Sequence, residues 1–114
     1  MSDLADLQKR IIDFRDARNW EQFHNPKDLA VSLLLEASEF LEHFQWKSSD
    51  EIKAHLQEKG GEVSDELADV LYWVLLIAHD MKIDLPKALD HKMKKNEEKY
   101  PVSKENKHTK YTEL

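Results

Sequence analysis

One stretch, residues 62–78, most constrains how this 114-residue chain can fold. Its first half carries four acidic residues, whereas residues 70–78 carry no charge at all. The stretch contains no glycine or proline, and it follows the pair Gly60-Gly61, which is typical of a break between elements. We therefore predict a helix from Glu62 to about Met81, with its acids near the positive end of the helix dipole.

Three side chains of this predicted helix share one face, because they are spaced three and four residues apart: Glu66, Asp69 and Trp73. Apolar residues fill most of the remaining circumference, so we expect the helix to be buried nearly all round. Two carboxylates in such an environment need a compensating cation, because a bare buried carboxylate is costly. So apolar a helix also predicts an obligate oligomer, since a monomer this small could not cover it.

Composition limits the classes of protein that this chain can represent. Its length suits one domain over residues 1–114, and its net charge of −6 argues against binding to a nucleic acid polymer or an anionic membrane. The absence of cysteine excludes disulfides, thiolate zinc sites and a cysteine nucleophile. We see no signal peptide pattern and no apolar run near the ~20 residues of a membrane span, so we expect a cytoplasmic protein.

Apolar spacing and capping residues predict the other elements. Ser2 can cap a first helix to about Arg18, and residues 19–26 form a loop with two aromatic residues and a histidine. Asn25 and Pro26 begin a second helix to about Gln45. We expect its core stripe to comprise Leu29, Leu33, Leu34, Ala37, Leu41 and Phe44.

The remaining segments complete an all-α fold with a four-helix core. A short peripheral helix is predicted from Ser49 to about Glu58, ended by the glycine pair. A proline-started helix follows Asp84 or Leu85 and reaches about Lys99. Residues 102–114 form a polar tail that we expect to be extended or partly disordered without a partner.

Two of these helices each carry a pair of acids at three-residue spacing. The pairs are Glu36 with Glu39, and Glu66 with Asp69. Packed face to face, the helices would place four carboxylates around one point, a donor set that suits Mg²⁺ or Mn²⁺ rather than zinc. Acidic pairs on helices are more often solvated surface. The residues alone leave both interpretations open.

The spacing Glu36-x-x-Glu39, 26 residues, Glu66-x-x-Asp69 resembles the signature of the MazG-like, all-α nucleoside triphosphate pyrophosphohydrolases. Further segments resemble the dCTP pyrophosphatase branch of that family and cover nearly the whole chain: residues 18–26, 44–47, 84–86, Lys92-Met93 with Asn96, 99–101 and 110–114. The resemblance implies Mg²⁺-dependent hydrolysis of a nucleoside triphosphate to the monophosphate and pyrophosphate. It also implies a homo-oligomer built on dimers, expected to be a tetramer.

By this resemblance, the four acids hold the metal ions, which neutralise the phosphates and activate a water molecule. His24 and Trp46 match positions that contact the base, and Trp73, where relatives have tyrosine, could wall the nucleotide pocket. The alternatives without a binding role are that Trp46 only packs at a helix end and that Trp73 is a plain core residue. A cluster on the phosphate side is matched by Lys92, Asn96, Lys99 and Tyr100, which could equally be a solvated basic stripe.

Two departures and two alternatives qualify this hypothesis. Glu97 and Glu98 stand where vertebrate relatives are basic, which bears on substrate affinity and preference but not on the metal site. Our first hypothesis is a nucleotide-pool enzyme that prefers dCTP or a modified dCTP. The same chemistry could serve dATP, dUTP or a broad range of nucleotides. A helical interaction module, with its acids on the surface, is the non-enzymatic alternative.

Overall fold

A computed structural model describes residues 3–102, and every described element is helical, as predicted. Between the first and second α-helices lies a short 3₁₀ helix, Trp20–Phe23. The α-helices, in chain order, are α1 (Leu4–Asp16), α2 (Pro26–Glu42), α3 (Ser49–Asp80) and α4 (Leu85–Lys99). No helix in the described range is long and apolar enough to cross a membrane.

The chain divides into two compact units, Met1–Lys82 and Ile83–Leu114. In the first unit, α3 packs against both α1 and α2. Its core combines Ile12, Leu29 and Leu76, which come from α1, α2 and α3 respectively. The described part of the second unit is α4 with its flanking residues. The predicted tail falls almost entirely outside the described residues.

Short polar side chains begin the helices by accepting hydrogen bonds from free backbone N–H groups. Asn25 caps α2 as predicted, with its Oδ1 2.9 Å from the amide nitrogen of Asp28. Asp84 caps α4 in the same way, 3.1 Å from the amide of Lys87. Asp3 is the cap of α1, because its carboxylate accepts from the amide of Asp6. The predicted cap Ser2 lies outside the described residues.

The glycine pair does not separate two helices, and that prediction is wrong. α3 runs through Gly60 and Gly61, and the one residue with non-helical dihedrals inside it is Lys59 (φ −117°, ψ 23°). Neither glycine adopts a positive φ. The predicted short helix is therefore the first part of α3, before the kink, and it starts from a capping box of Ser48 and Glu51.

Helix α2 turns a different face inward from the one predicted. Leu29 is buried, and Leu33, Glu36 and Phe40 are half-buried on the same side of the helix. Leu34 is 65 % exposed, and Ala37 and Leu41 are also exposed, so their assignment to the core is wrong within this chain. The inward face of α2 consequently carries a glutamate toward α3.

Candidate functional site

Three glutamates meet where α2 packs on α3. Glu36 and Glu39 lie one turn apart on α2, and Glu66 lies on α3 beyond the kink. One carboxylate oxygen from each lies within 4.8 Å of the others. Two helices, each with acids on its facing side, thus place three like charges around one point.

The carboxylates of this cluster have no compensating partner for two of their buried oxygens among the described residues. Oε2 of Glu36 and Oε2 of Glu66 are buried, and neither has a hydrogen-bond partner among the residues that the structure describes. Burial raises the pKa of Glu36 above its ordinary value, and the neighbouring carboxylate of Glu39 raises it further. The same two causes raise the pKa of Glu66. These groups are therefore held in a site that favours either protons or a cation.

Asp69, the fourth predicted acid, stands beside this cluster and is not one of the three mutually close carboxylates. Its negative charge nevertheless raises the pKa of both Glu36 and Glu66. It lines a cleft together with Glu36. The structure thus brings three of the four predicted ligands together and places the fourth among the residues that line the adjoining cleft.

The residues present fit a hard divalent cation. All three clustered groups offer carboxylate oxygens, and two of those oxygens are buried without a partner in the described part of the chain. Oxygen-only donor sets suit Mg²⁺ or Mn²⁺, whereas zinc sites in proteins usually contain histidine or cysteine ligands. His43, the nearby histidine, instead places its Nδ1 2.8 Å from Nε2 of His55.

The adjoining cleft has a volume of about 680 Å³ and lies entirely within the first unit. Four aromatic rings line it and meet edge to face, with centroid separations of 5.1 to 6.5 Å. They are Phe14, Trp20, Tyr72 and Trp73. Arg10 adds a guanidinium, and Glu36 and Asp69 add carboxylates. An aromatic wall beside a carboxylate cluster can hold a flat ring next to a metal-bound anion.

His24 and Trp73, both predicted substrate contacts, lie together. Their ring centroids are 5.8 Å apart at an interplanar angle of 69°, and both side chains are half-buried. Nδ1 of His24 is 3.5 Å from a terminal nitrogen of Arg15, a buried residue of α1. Trp46 is 88 % exposed in the turn after α2 and is not a lining residue of the cleft.

The predicted phosphate-side residues belong to the second unit. Lys92, Asn96 and Lys99 are spaced four and three residues apart on α4, so they share one side of that helix. Lys99 places its ammonium 5.5 Å from the centre of the Tyr100 ring. The geometry within α4 therefore agrees with a single face that carries these side chains.

Several site residues were missed from the sequence. Arg10, Phe14, Trp20 and Tyr72 line the cleft, and none was predicted as a site residue. Arg15 is only 4 % exposed. A signal for Arg15 existed, because it follows Ile11 and Ile12 by four and three residues and therefore lies on the apolar face of α1. A charged residue on such a face requires a buried partner.

The helices and the carboxylates together define an all-helical protein with an oxygen-rich cation site beside an aromatic cleft. Residues 31–114 match the MazG-like family, which is about three-quarters of the chain. The chain belongs to the MazG-like family.

Named relatives share much of this sequence. The chain is 38 % identical over 101 residues to dCTP pyrophosphatase 1 of Rattus norvegicus, covering 87 % of this chain and 59 % of that protein. It is 35 % identical to dCTP pyrophosphatase 1 of Homo sapiens, over 97 % of this chain and 67 % of that protein. The chain thus spans about three-fifths of the length of the rat relative.

A solved structure shows the same fold. A crystal structure of a pyrophosphatase from Archaeoglobus fulgidus superimposes with a TM-score of 0.83 at 43 % sequence identity. The match covers 90 % of this chain and 95 % of the archaeal one. The all-helical architecture predicted from the sequence is confirmed by this likeness.

Proposed function

We propose that the protein is a cytoplasmic, Mg²⁺-dependent nucleoside triphosphate pyrophosphohydrolase that converts dCTP or a modified dCTP to the monophosphate and pyrophosphate. The observation that carries the proposal is the cluster of Glu36, Glu39 and Glu66 beside an aromatic cleft, in which two buried oxygens have no hydrogen-bond partner within residues 3–102. The names of the rat and human relatives support the substrate class.

In this proposal, the three glutamates and Asp69 hold the metal, with Mn²⁺ as a substitute for Mg²⁺. When bound, the metal supplies positive charge to the phosphates and lowers the pKa of a water molecule. The carboxylates of the chain fix the position of that charge. They also repel a free triphosphate, so binding of the nucleotide depends on the cation.

The organic part of the nucleotide is proposed to lie in the aromatic cleft. Trp73 and its neighbours offer ring faces and edges against which a pyrimidine can pack. His24 is proposed to hydrogen-bond the base edge, and it stands within ring contact of Trp73. Trp46, with its exposed ring, is proposed to reach a base in the assembled oligomer. Lys92, Asn96, Lys99 and Tyr100 are proposed to contact the phosphates.

We propose further that one domain, residues 1–114, acts as a homo-oligomer, expected to be a tetramer. Support comes from apolar side chains that the chain leaves exposed on two helices. They are Val31, Leu34, Leu35 and Leu41 on α2, and Leu67 and Leu71 on α3. Large exposed apolar surfaces of this kind usually mark interfaces.

The test of this function is pyrophosphate release from a panel of nucleoside triphosphates with Mg²⁺, with and without excess EDTA. Release that requires the metal and is fastest with dCTP supports the reaction, the cofactor and the base preference. Metal-dependent release that favours dATP or dUTP retains the chemistry and overturns the base assignment. No release from any triphosphate contradicts the proposal and favours the interaction module.

A further inference from the structure

The buried guanidinium of Arg15 lies next to His24, the proposed base contact. Arg15 projects from the apolar face of α1 and is 4 % exposed. One terminal nitrogen lies 2.6 Å from Oδ2 of Asp80, near the end of α3, and Nε lies 3.1 Å from Oδ1 of Asp16. The terminal nitrogen that meets Asp80 also lies 3.5 Å from Nδ1 of His24. The imidazole is therefore held by a cation that is itself anchored at two points.

This contact determines which nitrogen of His24 carries the proton. A guanidinium donates hydrogen bonds and cannot accept them, so Nδ1 must offer its lone pair. The hydrogen of the neutral ring consequently lies on Nε2, which points away from Arg15. The ring of Trp73, whose centroid lies 5.8 Å from that of the imidazole at an interplanar angle of 69°, limits rotation of the imidazole. His24 thus presents one defined donor.

The carboxylate of Asp80, which holds Arg15 in place, remains charged at neutral pH. Burial raises the pKa of Asp80, but hydrogen bonds from Arg15 and from His79 outweigh that effect, so its pKa lies below the ordinary value. Nδ1 of His79 is 3.2 Å from Oδ1 of Asp80, while Oδ2 faces Arg15. Both oxygens of the carboxylate are therefore occupied, which fixes the position of the guanidinium.

We propose that Arg15, anchored by Asp80, is a positioning residue that holds His24 as an Nε2–H donor toward an acceptor on the nucleobase. The inference rests on the proposed function, in which His24 contacts the base. An N–H donor matches the unprotonated N3 of cytosine and opposes the N3–H of uracil or thymine, whereas O2 accepts a hydrogen bond in all three bases. With N3 as the acceptor, base selection depends on a residue that itself never touches the nucleotide.

The first test measures which imidazole nitrogen of His24 carries the proton, and it does not depend on enzymatic activity. Long-range ¹H–¹⁵N spectra of the full-length, ¹⁵N-labelled protein at neutral pH distinguish protonated from unprotonated imidazole nitrogens. The six histidines are resolved by comparison with His24→Gln. We expect an unprotonated Nδ1 and a protonated Nε2 for His24, with an altered Nδ1 signal in Arg15→Lys. A neutral ring protonated on Nδ1, or a signal unaffected by Arg15→Lys, overturns the inference.

The second test asks whether Arg15 acts through His24. On the triphosphate that the wild-type protein hydrolyses best, we expect Arg15→Lys to raise KM by about three- to tenfold with little change in kcat, the cost of one hydrogen bond. In a His24→Gln background, the same substitution should change KM by less than about twofold. Equal effects in both backgrounds indicate a purely structural role and overturn the inference.

Variants that separate folding from positioning complete the design. Lysine keeps a cation opposite Asp80 but lacks the planar fork, and Asp80→Asn removes the anchor by an isosteric change. Asp80→Asn should reproduce the rise in KM if Arg15→Lys does not fold. Asp13→Asn is the matched control, because its carboxylate also meets a cation, at 2.7 Å from Lys9, on the exposed side of α1. A KM change in Asp13→Asn equal to that in Asp80→Asn contradicts the proposal.

If wild-type protein hydrolyses no triphosphate, the proposed function fails and the kinetic cycle is not run. The imidazole spectra then decide the placement of the proton on their own. A failure of this inference looks different, because turnover persists while Nδ1 of His24 carries the proton or Arg15→Lys leaves KM unchanged.

Discussion

Glu36 and Glu66 each bury an oxygen that no described group satisfies, next to further carboxylates. At the scale of single residues, the repulsion between these carboxylates lowers the stability of the metal-free fold, whereas the same oxygens are proposed to serve the function by binding a cation. Whatever neutralises one of these charges relieves repulsion, whereas removal of a metal-binding oxygen weakens the proposed cation site. One substitution is therefore expected to raise the stability of the metal-free protein and to lower its activity.

We predict that Glu36→Gln lowers pyrophosphate release by at least about a hundredfold while metal-free protein melts at a higher temperature than wild type. The amide removes a charge and can donate a hydrogen bond to the carboxylate beside it. Activity assays and thermal melts in EDTA measure the two effects. Glu58→Gln, an exposed acid before the kink of α3, is the control and should change neither. Wild-type activity in Glu36→Gln would remove that residue from the ligands.

The raised pKa values of Glu36 and Glu66 also predict a pH dependence. Between the ordinary glutamate pKa and the raised one, the folded state binds more protons than the unfolded state, so this contribution to the free energy of unfolding falls as pH rises. The stability of Glu36→Gln relative to wild type should therefore grow with pH in EDTA. Urea denaturation from pH 4 to pH 8 measures the difference, and a gap that narrows with rising pH contradicts the assignment.

The candidate site was partly predictable residue by residue. Glu36, Glu39 and Glu66 were predictable because three-residue spacing on a helix fixes which carboxylates share a side. Their mutual approach was not, because it depends on how α2 and α3 pack. The partner of Arg15 could not be predicted either, because Asp80 lies 65 residues away in sequence and meets Arg15 only through the packing of α1 on α3.

At the scale of elements, caps were easier to predict than breaks. Asn25 and Asp84 begin their helices through local hydrogen bonds that any such sequence can form. The glycine pair favours a break only by a backbone-entropy cost of about 1 kcal/mol per residue. Contacts from both parts of α3, including His55 with His43, can exceed that cost. The helix therefore continues with a kink at Lys59.

Alanine at the glycine pair should stabilise the protein. Gly60 and Gly61 both have helical rather than left-handed backbone, and a Cβ at either position would meet no atom within 4 Å. We expect Gly60→Ala and Gly61→Ala each to raise the free energy of unfolding by about 0.5–1 kcal/mol. Urea denaturation measures this change in the free energy of unfolding. Ala54→Gly, the opposite substitution on the same helix, is the control. A loss of stability would show that the kink requires glycine.

At the scale of the whole molecule, the exposed faces of α2 and α3 are the main departure from the sequence prediction. Leu34 and Leu41 were assigned to the core because helical spacing in a leucine-rich run fits more than one face. Composition could not show which face points inward. Burial within one chain assigns that face to Leu29, Leu33 and Glu36, and leaves the other leucines of α2 exposed.

We predict that wild-type protein is oligomeric at micromolar concentration and that Leu34→Glu yields a smaller species. A carboxylate placed on an apolar interface must be desolvated, which opposes association. Light scattering measures the mass. Lys27→Glu, which changes charge in the exposed first turn of the same helix, is the control and should keep the wild-type mass. A monomeric wild-type protein would refute the oligomer.

Helix α3 carries the proposed metal ligand Glu66, the ring of Trp73 and Asp80, the partner of Arg15, on one continuous stretch beyond the kink. At about 1.5 Å per residue, the 14 steps from Glu66 to Asp80 span roughly 21 Å, so the helix fixes the distance between the proposed metal site and the proposed base site. Substitutions leave this spacing intact, but an inserted or deleted residue would turn everything after it by about 100°. Length variation among functional relatives should therefore be absent from this segment and confined to the joints.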